Sequence, residues 1–322
     1  MKKLAVTMGD PGGVGPEIIV KALASQPFDY TPIVIGDRIV VEETLKLLDL
    51  SIRLITIKDP EESNPSPGIM ELIDIPGIKD FVKGRATAEG AIACAEYINT
   101  AVELALDKKV SGIVTAPISK EALKMAGMKW HGHTEMLAAL TGTGDYAMML
   151  VGGPLRVILV TIHISLRSVP DMITKGTVLK TIRLARRACV MLGIENPRIA
   201  VAGLNPHAGE AGMFGEEEIT SIIPAIEAAR KEGINTTDPL PPDTIFQRAY
   251  KGEFDILVCM YHDQGLIPLK MIAFDTGVNV TVGLPVVRTS PDHGTAYNIA
   301  WRGVADPSSM IEAIKLATRL KI

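Results

Sequence analysis

Short runs of apolar, largely β-branched residues alternate along the chain with stretches whose apolar positions recur at helical spacing. Leu4–Met8, Pro32–Ile35, Ile52–Ile57, Gly112–Thr115, Ala147–Val151, Arg156–Ile162, Arg198–Ala202, Asp255–Tyr261 and Val278–Val282 predict strands. Most of these runs are apolar throughout, the pattern of strands covered on both faces in a largely parallel sheet. Between them Pro16–Ala24, Ala86–Lys109, Gly176–Leu192, Glu216–Gly233 and Pro307–Leu320 predict helices. Pro16 suits a first helical position. Such alternation predicts an α/β chain with right-handed crossovers. Asn64–Gly68 and Pro239–Pro242 read as rigid loops, and no flexible linker marks a domain boundary.

Composition narrows the function classes. The chain has 322 residues, 47% hydrophobic but only 4% aromatic, so its core is aliphatic with 14 methionines as adaptable filler. Its net charge is −4, with no basic run, which argues against nucleic-acid and membrane-surface partners. Cys94, Cys189 and Cys259 are far apart in apolar sequence, as buried free thiols in a reducing compartment would be. The first apolar stretch reaches Asp10 and Pro11 too soon for a signal segment, so a cytoplasmic protein is expected.

Three histidines follow directly on apolar runs: RVILVTIH ends at His163, RIAVAGLNPH at His207 and DILVCMYH at His262. If these runs are parallel strands of one sheet, the histidines share its carboxyl edge, where α/β ligands bind. Neutral imidazoles with an open position suit a catalytic divalent ion, and Asp263 and Glu210 stand nearby as supporting partners or further ligands. Ordinary loop histidines bonded to backbone remain the alternative, because the spacing lacks a compact metal motif.

His133 and Thr134 open a helical stretch in KWHGHTEMLAAL, which suits an anion cradle or a simple helix cap; His131 reads as a surface residue. In RTSPDHGTAYNIAWRG, Asp292 or Ser290 predicts a cap for a helix starting near Gly294, close to His293. MGDPGGVGPE invites a dinucleotide-fingerprint reading with Asp37 as the ribose acid. Ile18 occupies the third glycine position, however, so a tight turn bordering the active site is the better reading. Lys270 and Arg288 are charges in otherwise apolar stretches, with Asn279 between them. Arg288 suits a carboxylate or phosphate by its fork, and Lys270 suits an anion or acid–base work.

MGDPGGVGPE, TAPISKEAL, GHTEMLA, GLNPHAGEAGMFGEEE, YHDQGLIPLK and GVNVTVGLPVVRTSPDHGTA together resemble the 4-hydroxythreonine-4-phosphate dehydrogenase family over nearly the whole chain. The resemblance implies the isocitrate and isopropylmalate dehydrogenase fold, with two α/β domains around a cleft. The expected boundaries are 1–140 plus 286–322 for the domain holding both termini, and 141–285 for the one with the metal-binding strand ends. It further implies one divalent metal (zinc, cobalt or magnesium) on His163, His207 and His262, with ligands from both subunits of a homodimer. Substrate would be held by His133, Thr134, Lys270, Asn279 and Arg288. HGTAYNIAWRG is similar to the adenine-contacting segment of isopropylmalate dehydrogenases, making His293, Gly294, Thr295 and Ala296 candidates for binding NAD, with NADP also open.

The implied reaction is oxidation with decarboxylation of a 4-phosphorylated 3-hydroxy acid. Two family branches differ at C2, taking either 4-hydroxythreonine 4-phosphate or 4-phospho-D-threonate and 4-phospho-D-erythronate. Met213 stands where the vitamin-pathway enzymes tend to have His, which leans toward the sugar-acid branch. A phosphotransacetylase-like acyl-phosphate transferase and a non-catalytic sugar-phosphate-binding protein are the other classes; the former would not need the histidines.

Overall fold

A computed structural model describes residues 2–25, 30–78, 81–130 and 132–322, so the surface reading of His131 lies outside the described residues. Twelve strands follow in chain order: β1 Lys2–Thr7, β2 Tyr30–Gly36, β3 Arg53–Thr56, β4 Ile69–Asp74, β5 Ile113–Thr115 and β6 Ala147–Gly152, then β7 Leu155–Leu159, β8 Ile199–Ala202, β9 Thr236–Leu240, β10 Ile256–Cys259, β11 Val278–Val282 and β12 Arg288–Pro291. The chain forms two compact units. One runs to Gly144 and adds Leu284–Leu320 and Ile322; the other is Asp145–Gly283 with Lys321.

In the first unit the strand order is β3-β4-β2-β1-β5-β12, and every one of these pairings is parallel. Its strands bury Leu4, Val6, Ile33, Ile35, Leu72 and Ile113 completely. In the second the order is β11-β6-β7-β10-β8-β9. Here β6 runs antiparallel to both β11 and β7, while β7, β10, β8 and β9 are mutually parallel. Its core joins Leu150, Val157, Ala200, Leu257, Leu266 and Leu269, each stabilising the unit by about 1.5–3 kcal/mol for the larger side chains.

Three strands escape the apolar pattern, each for a physical reason. β4 carries Glu71, buried and accepting from Ser63 Oγ and, at 2.6 Å, from Asn64 N. β9 contains Pro239, and an edge strand tolerates a residue without an N–H, here beside a register shift. It takes Pro239 and Leu240 out of the expected loop. β12, with the sequence RTSP, is polar and yet wholly buried.

The predicted helix Glu216–Gly233 is instead a π-helical turn, Glu218–Ile222, followed by the α-helix Ile223–Lys231. No helix begins near Gly294. That segment turns on itself, with positive φ at Ala296 (42°) and Trp301 (61°), and the next helix is Ser308–Arg319. Cys94, Cys189 and Cys259 are buried and free. Among the described residues no helix is long and apolar enough to cross a membrane.

Candidate active site

In the second unit β7, β10 and β8 are parallel neighbours in that order, so the connections leaving them lie at one carboxyl edge. The strands end at Leu159, Cys259 and Ala202, and the three histidines stand just beyond: His163 in a turn, His262 as the first residue of the helix His262–Ala273, and His207 in the turn Pro206–Gly212. His163 and His262 face each other with ring centroids 5.6 Å apart. Two imidazoles sharing one tetrahedral ion at ordinary metal–nitrogen distances put their centroids about 5 Å apart, so this pair suits a divalent metal. His262 Nδ1 lies 2.7 Å from Asp263 Oδ1. With Nδ1 engaged by the carboxylate, Nε2 is the ring nitrogen left to face a metal. His207 instead stacks near Phe214, centroids 6.2 Å apart. Among the described residues of this single chain, no three His, Cys, Asp or Glu side chains converge on one point.

The turn holding His207 is strained. His207, Ala208, Gly209, Glu210 and Ala211 are all left-handed, which costs roughly 1–2 kcal/mol for each non-glycine residue. Met213 closes this turn and is 74% exposed. Lys270, in the last turn of His262–Ala273, places Nζ 5.7 Å from the Phe274 ring, and Asn279 on β11 has a buried Oδ1 with no hydrogen-bond partner among the described residues.

The first unit supplies a different kind of chemistry. Arg288, on β12, is 2% exposed, and its Nη2 donates to Thr115 Oγ1 at 2.7 Å on the paired β5. Burial pulls the guanidinium down to about 9. His133 and Thr134 open the helix His133–Leu140, whose cap is Gly132, with no side-chain capping bond. Capping therefore does not explain Thr134. Burial, and secondarily the positive charge of Arg288, hold His133 well below the ordinary imidazole range. Its Nε2 is buried without a hydrogen-bond partner among the described residues. A neutral histidine, a hydroxyl and a dehydrated guanidinium are suited to an anion.

The glycine-rich N-terminal loop is built into the 293–301 turn. Tyr297 OH donates to Asp10 Oδ2 at 2.7 Å, Trp301 Nε1 to Pro11 O at 2.9 Å, and Val14 N to Thr295 O at 2.9 Å. A Cβ on Gly13 would lie 3.0 Å from Thr295, so the glycine permits close approach of two backbone segments. Burial raises the Asp10 carboxyl against the lowering effect of Tyr297. His293 is exposed, and a Cβ on Gly294 would meet nothing within 4 Å, so the backbone there is open. Asp37 is no ribose ligand: it caps Arg38–Leu47 through Ile39 N, and its other oxygen accepts from Gly77 N and Ile78 N.

Residues 29–317 match the family model described as PdxA, pyridoxal phosphate biosynthetic protein. The chain belongs to the PdxA family. It is 50% identical over 320 residues to the 4-hydroxythreonine-4-phosphate dehydrogenase of Desulforapulum autotrophicum, covering 98% of this chain and 94% of that protein. It is 48% identical over 324 residues to the D-threonate 4-phosphate dehydrogenase of Cupriavidus necator, covering 98% and 97%. Among PdxA-family structures, a crystal structure of 4-hydroxythreonine-4-phosphate dehydrogenase from Klebsiella pneumoniae superposes with TM-score 0.91 at 45% identity over 99% of both chains. The same α/β fold extends beyond the family. A β-decarboxylating dehydrogenase from Thermococcus kodakarensis shares it at TM-score 0.52 and 14% identity, covering 99% of this chain and 83% of that one.

Motif reading overlooked Thr115, Asp10, Tyr297, Glu218 and Gln264. A threonine or a glutamine carries no signal until a partner distant in sequence is known. All five stand inside the motifs quoted above, yet nothing in the motifs sets them apart from their neighbours.

Proposed function

We propose that this PdxA-family chain is an NAD-linked, divalent-metal-dependent dehydrogenase that oxidises and decarboxylates a 4-phosphorylated 3-hydroxy acid. The observation that carries the reading is the His163–His262 pair, at ligand spacing, on neighbouring strand ends with His207 on the third. The family relatives named above narrow the substrate to 4-hydroxythreonine 4-phosphate or D-threonate 4-phosphate. Met213 favours the sugar-acid side, D-erythronate 4-phosphate included.

His163, His207 and His262 would hold the ion, with ligands from both subunits of a homodimer. Ile267, Met271 and Phe274 fall on one helical face and are exposed, Met271 at 82%, as an interface between copies would require. When bound, the ion would supply Lewis-acid stabilisation of charge developing on substrate oxygen, and NAD would supply the hydride acceptor. NADP would need a clamp for its extra phosphate, and none stands out in the 293–296 segment.

Lys270 or a bound water takes the proton of the reacting hydroxyl. Neutral His133 and Thr134 donate to the phosphate, Arg288 holds phosphate or carboxylate with two parallel donors, and Asn279 orients the substrate through its amide. The product of oxidation carries a ketone β to its carboxylate, so the C–C bonding pair moves toward that ketone as CO₂ leaves. His293, Gly294, Thr295 and Ala296 would contact the adenine end of NAD. Three buried, unpaired cysteines fit a reducing cytoplasm.

The test is to incubate the protein with NAD, a divalent ion and each phosphorylated acid, following NADH and CO₂ together. Release of both with one acid supports the reading and identifies the branch; NADH from none of them sinks it. An acyl-phosphate transferase would instead form acyl phosphate from acyl-CoA without NADH.

A further inference from the structure

His207 stands in a run of five consecutive left-handed residues, with φ of 52°, 54°, 82°, 42° and 54° from His207 to Ala211. L-residues leave this region unless their surroundings hold them there. The buried carboxylate of Glu218 supplies that hold. Its Oε1 accepts from Leu204 N at 2.7 Å and Asn205 N at 2.8 Å, and its Oε2 from Asn205 Nδ2 at 2.9 Å. The same oxygen fixes the far side of the turn by contact: a Cβ on Gly209 would lie 2.7 Å from Oε2, so only glycine fits there. Asn205 Nδ2 also donates to Glu217 Oε2 at 2.7 Å.

Glu218 is 2% exposed and begins the π-helical turn, a widened geometry that recurs at functional sites. A second brace runs through buried Gln264. Its Nε2 donates to Gly203 O and its Oε1 accepts from Met260 N, both at 2.7 Å. The end of β8, which leads to His207, is thereby tied to the end of β10, which leads to His262.

We propose that Glu218 is a positioning residue for metal binding, holding the left-handed turn so that His207 is presented in ligating orientation. This rests on the reading of His207 as a metal ligand. Glu218→Gln keeps the shape but removes the charge and sets an amide nitrogen against Asn205 Nδ2. Asn205→Ala cuts the same tie from the other side.

The measurement is Co²⁺ affinity of the full chain, by competition with a chromophoric chelator, together with the Co²⁺ absorption band and the melting curve. His207→Ala serves as reference. Both variants are expected to lose about tenfold or more in Co²⁺ affinity, with a weakened band and a cooperative melt. Affinity within about twofold of wild type for Glu218→Gln, beside a large loss in His207→Ala, overturns the proposal. Should Glu218→Gln fail to melt cooperatively, Asn205→Ala decides by the same criterion. Equal affinity of wild type and His207→Ala overturns the metal reading itself, a separately visible result.

Discussion

The Arg288 guanidinium donates through Nη2 to the Thr115 hydroxyl over 2.7 Å, and Thr115 is fully buried beside it. A cation this dehydrated gains more from an anionic ligand than a surface arginine does, because it has little water left to lose. Thr115→Val should raise KM for the phosphorylated acid about tenfold, with kcat changing less, since a hydrogen bond to a charged group contributes about 1.5–3 kcal/mol. Thr115→Ser should restore it. Arg288→Lys, which keeps the charge but loses the fork, should cost more in kcat/KM than Thr115→Val. Steady-state kinetics on the three variants checks this.

His133 is held neutral by burial and by Arg288. Its folded-state pKa lies below the unfolded value of about 6.5, so the unfolded chain takes up a proton that the folded chain refuses. The stability this group contributes is fully present above that pH and is lost as pH falls below it. His133→Asn should therefore lose less melting temperature than wild type between about pH 7.5 and 5.5. Equal losses would contradict the assignment.

Asp37 accepts from Ile39 N, Gly77 N and Ile78 N, all structural donors. Asp37→Ala should destabilise the fold by about 2 kcal/mol or more while leaving KM for NAD unchanged. Denaturant melts and NAD titration of the same sample separate the two effects.

Tyr297 joins Asp10 to the turn that presents His293 and Gly294. Tyr297→Phe removes that bond and leaves Asp10 accepting from Gly12 N through Oδ1. We expect KM for NAD to rise several-fold more than KM for the acid. A rise confined to the acid would count against the cofactor role of residues 293–296.

Buried strands were legible in the sequence because β8 (IAVA) and β10 (ILVC) are apolar throughout, and β1, β2 and β7 contain the apolar runs Leu4–Val6, Ile33–Ile35 and Val157–Leu159. β12 was not, because RTSP owes its burial to Thr115 and to Thr289, whose hydroxyl donates to Ala313 O at 2.8 Å, partners that only folding brings near. The strand-end histidines were legible one by one. That β10 lies between β7 and β8, so that His262 falls between the other two, is a matter of topology. The left-handed turn at His207 had no signal, because Ala208 and Ala211 are poor residues for it and the glutamate that holds them lies further along the chain. A helix near Gly294 looked well capped but lost to Tyr297 and Trp301, whose polar tips find partners on the N-terminal loop.

The most direct measurement follows NADH formation from NAD and the phosphorylated acids in untreated, chelator-treated and metal-restored protein, with His207→Ala alongside. The metal-dependent dehydrogenase account predicts turnover with at least one acid, loss on chelation, recovery with Zn²⁺, Co²⁺ or Mg²⁺, and none in His207→Ala. Turnover indifferent to chelation, or full activity in His207→Ala, would contradict it.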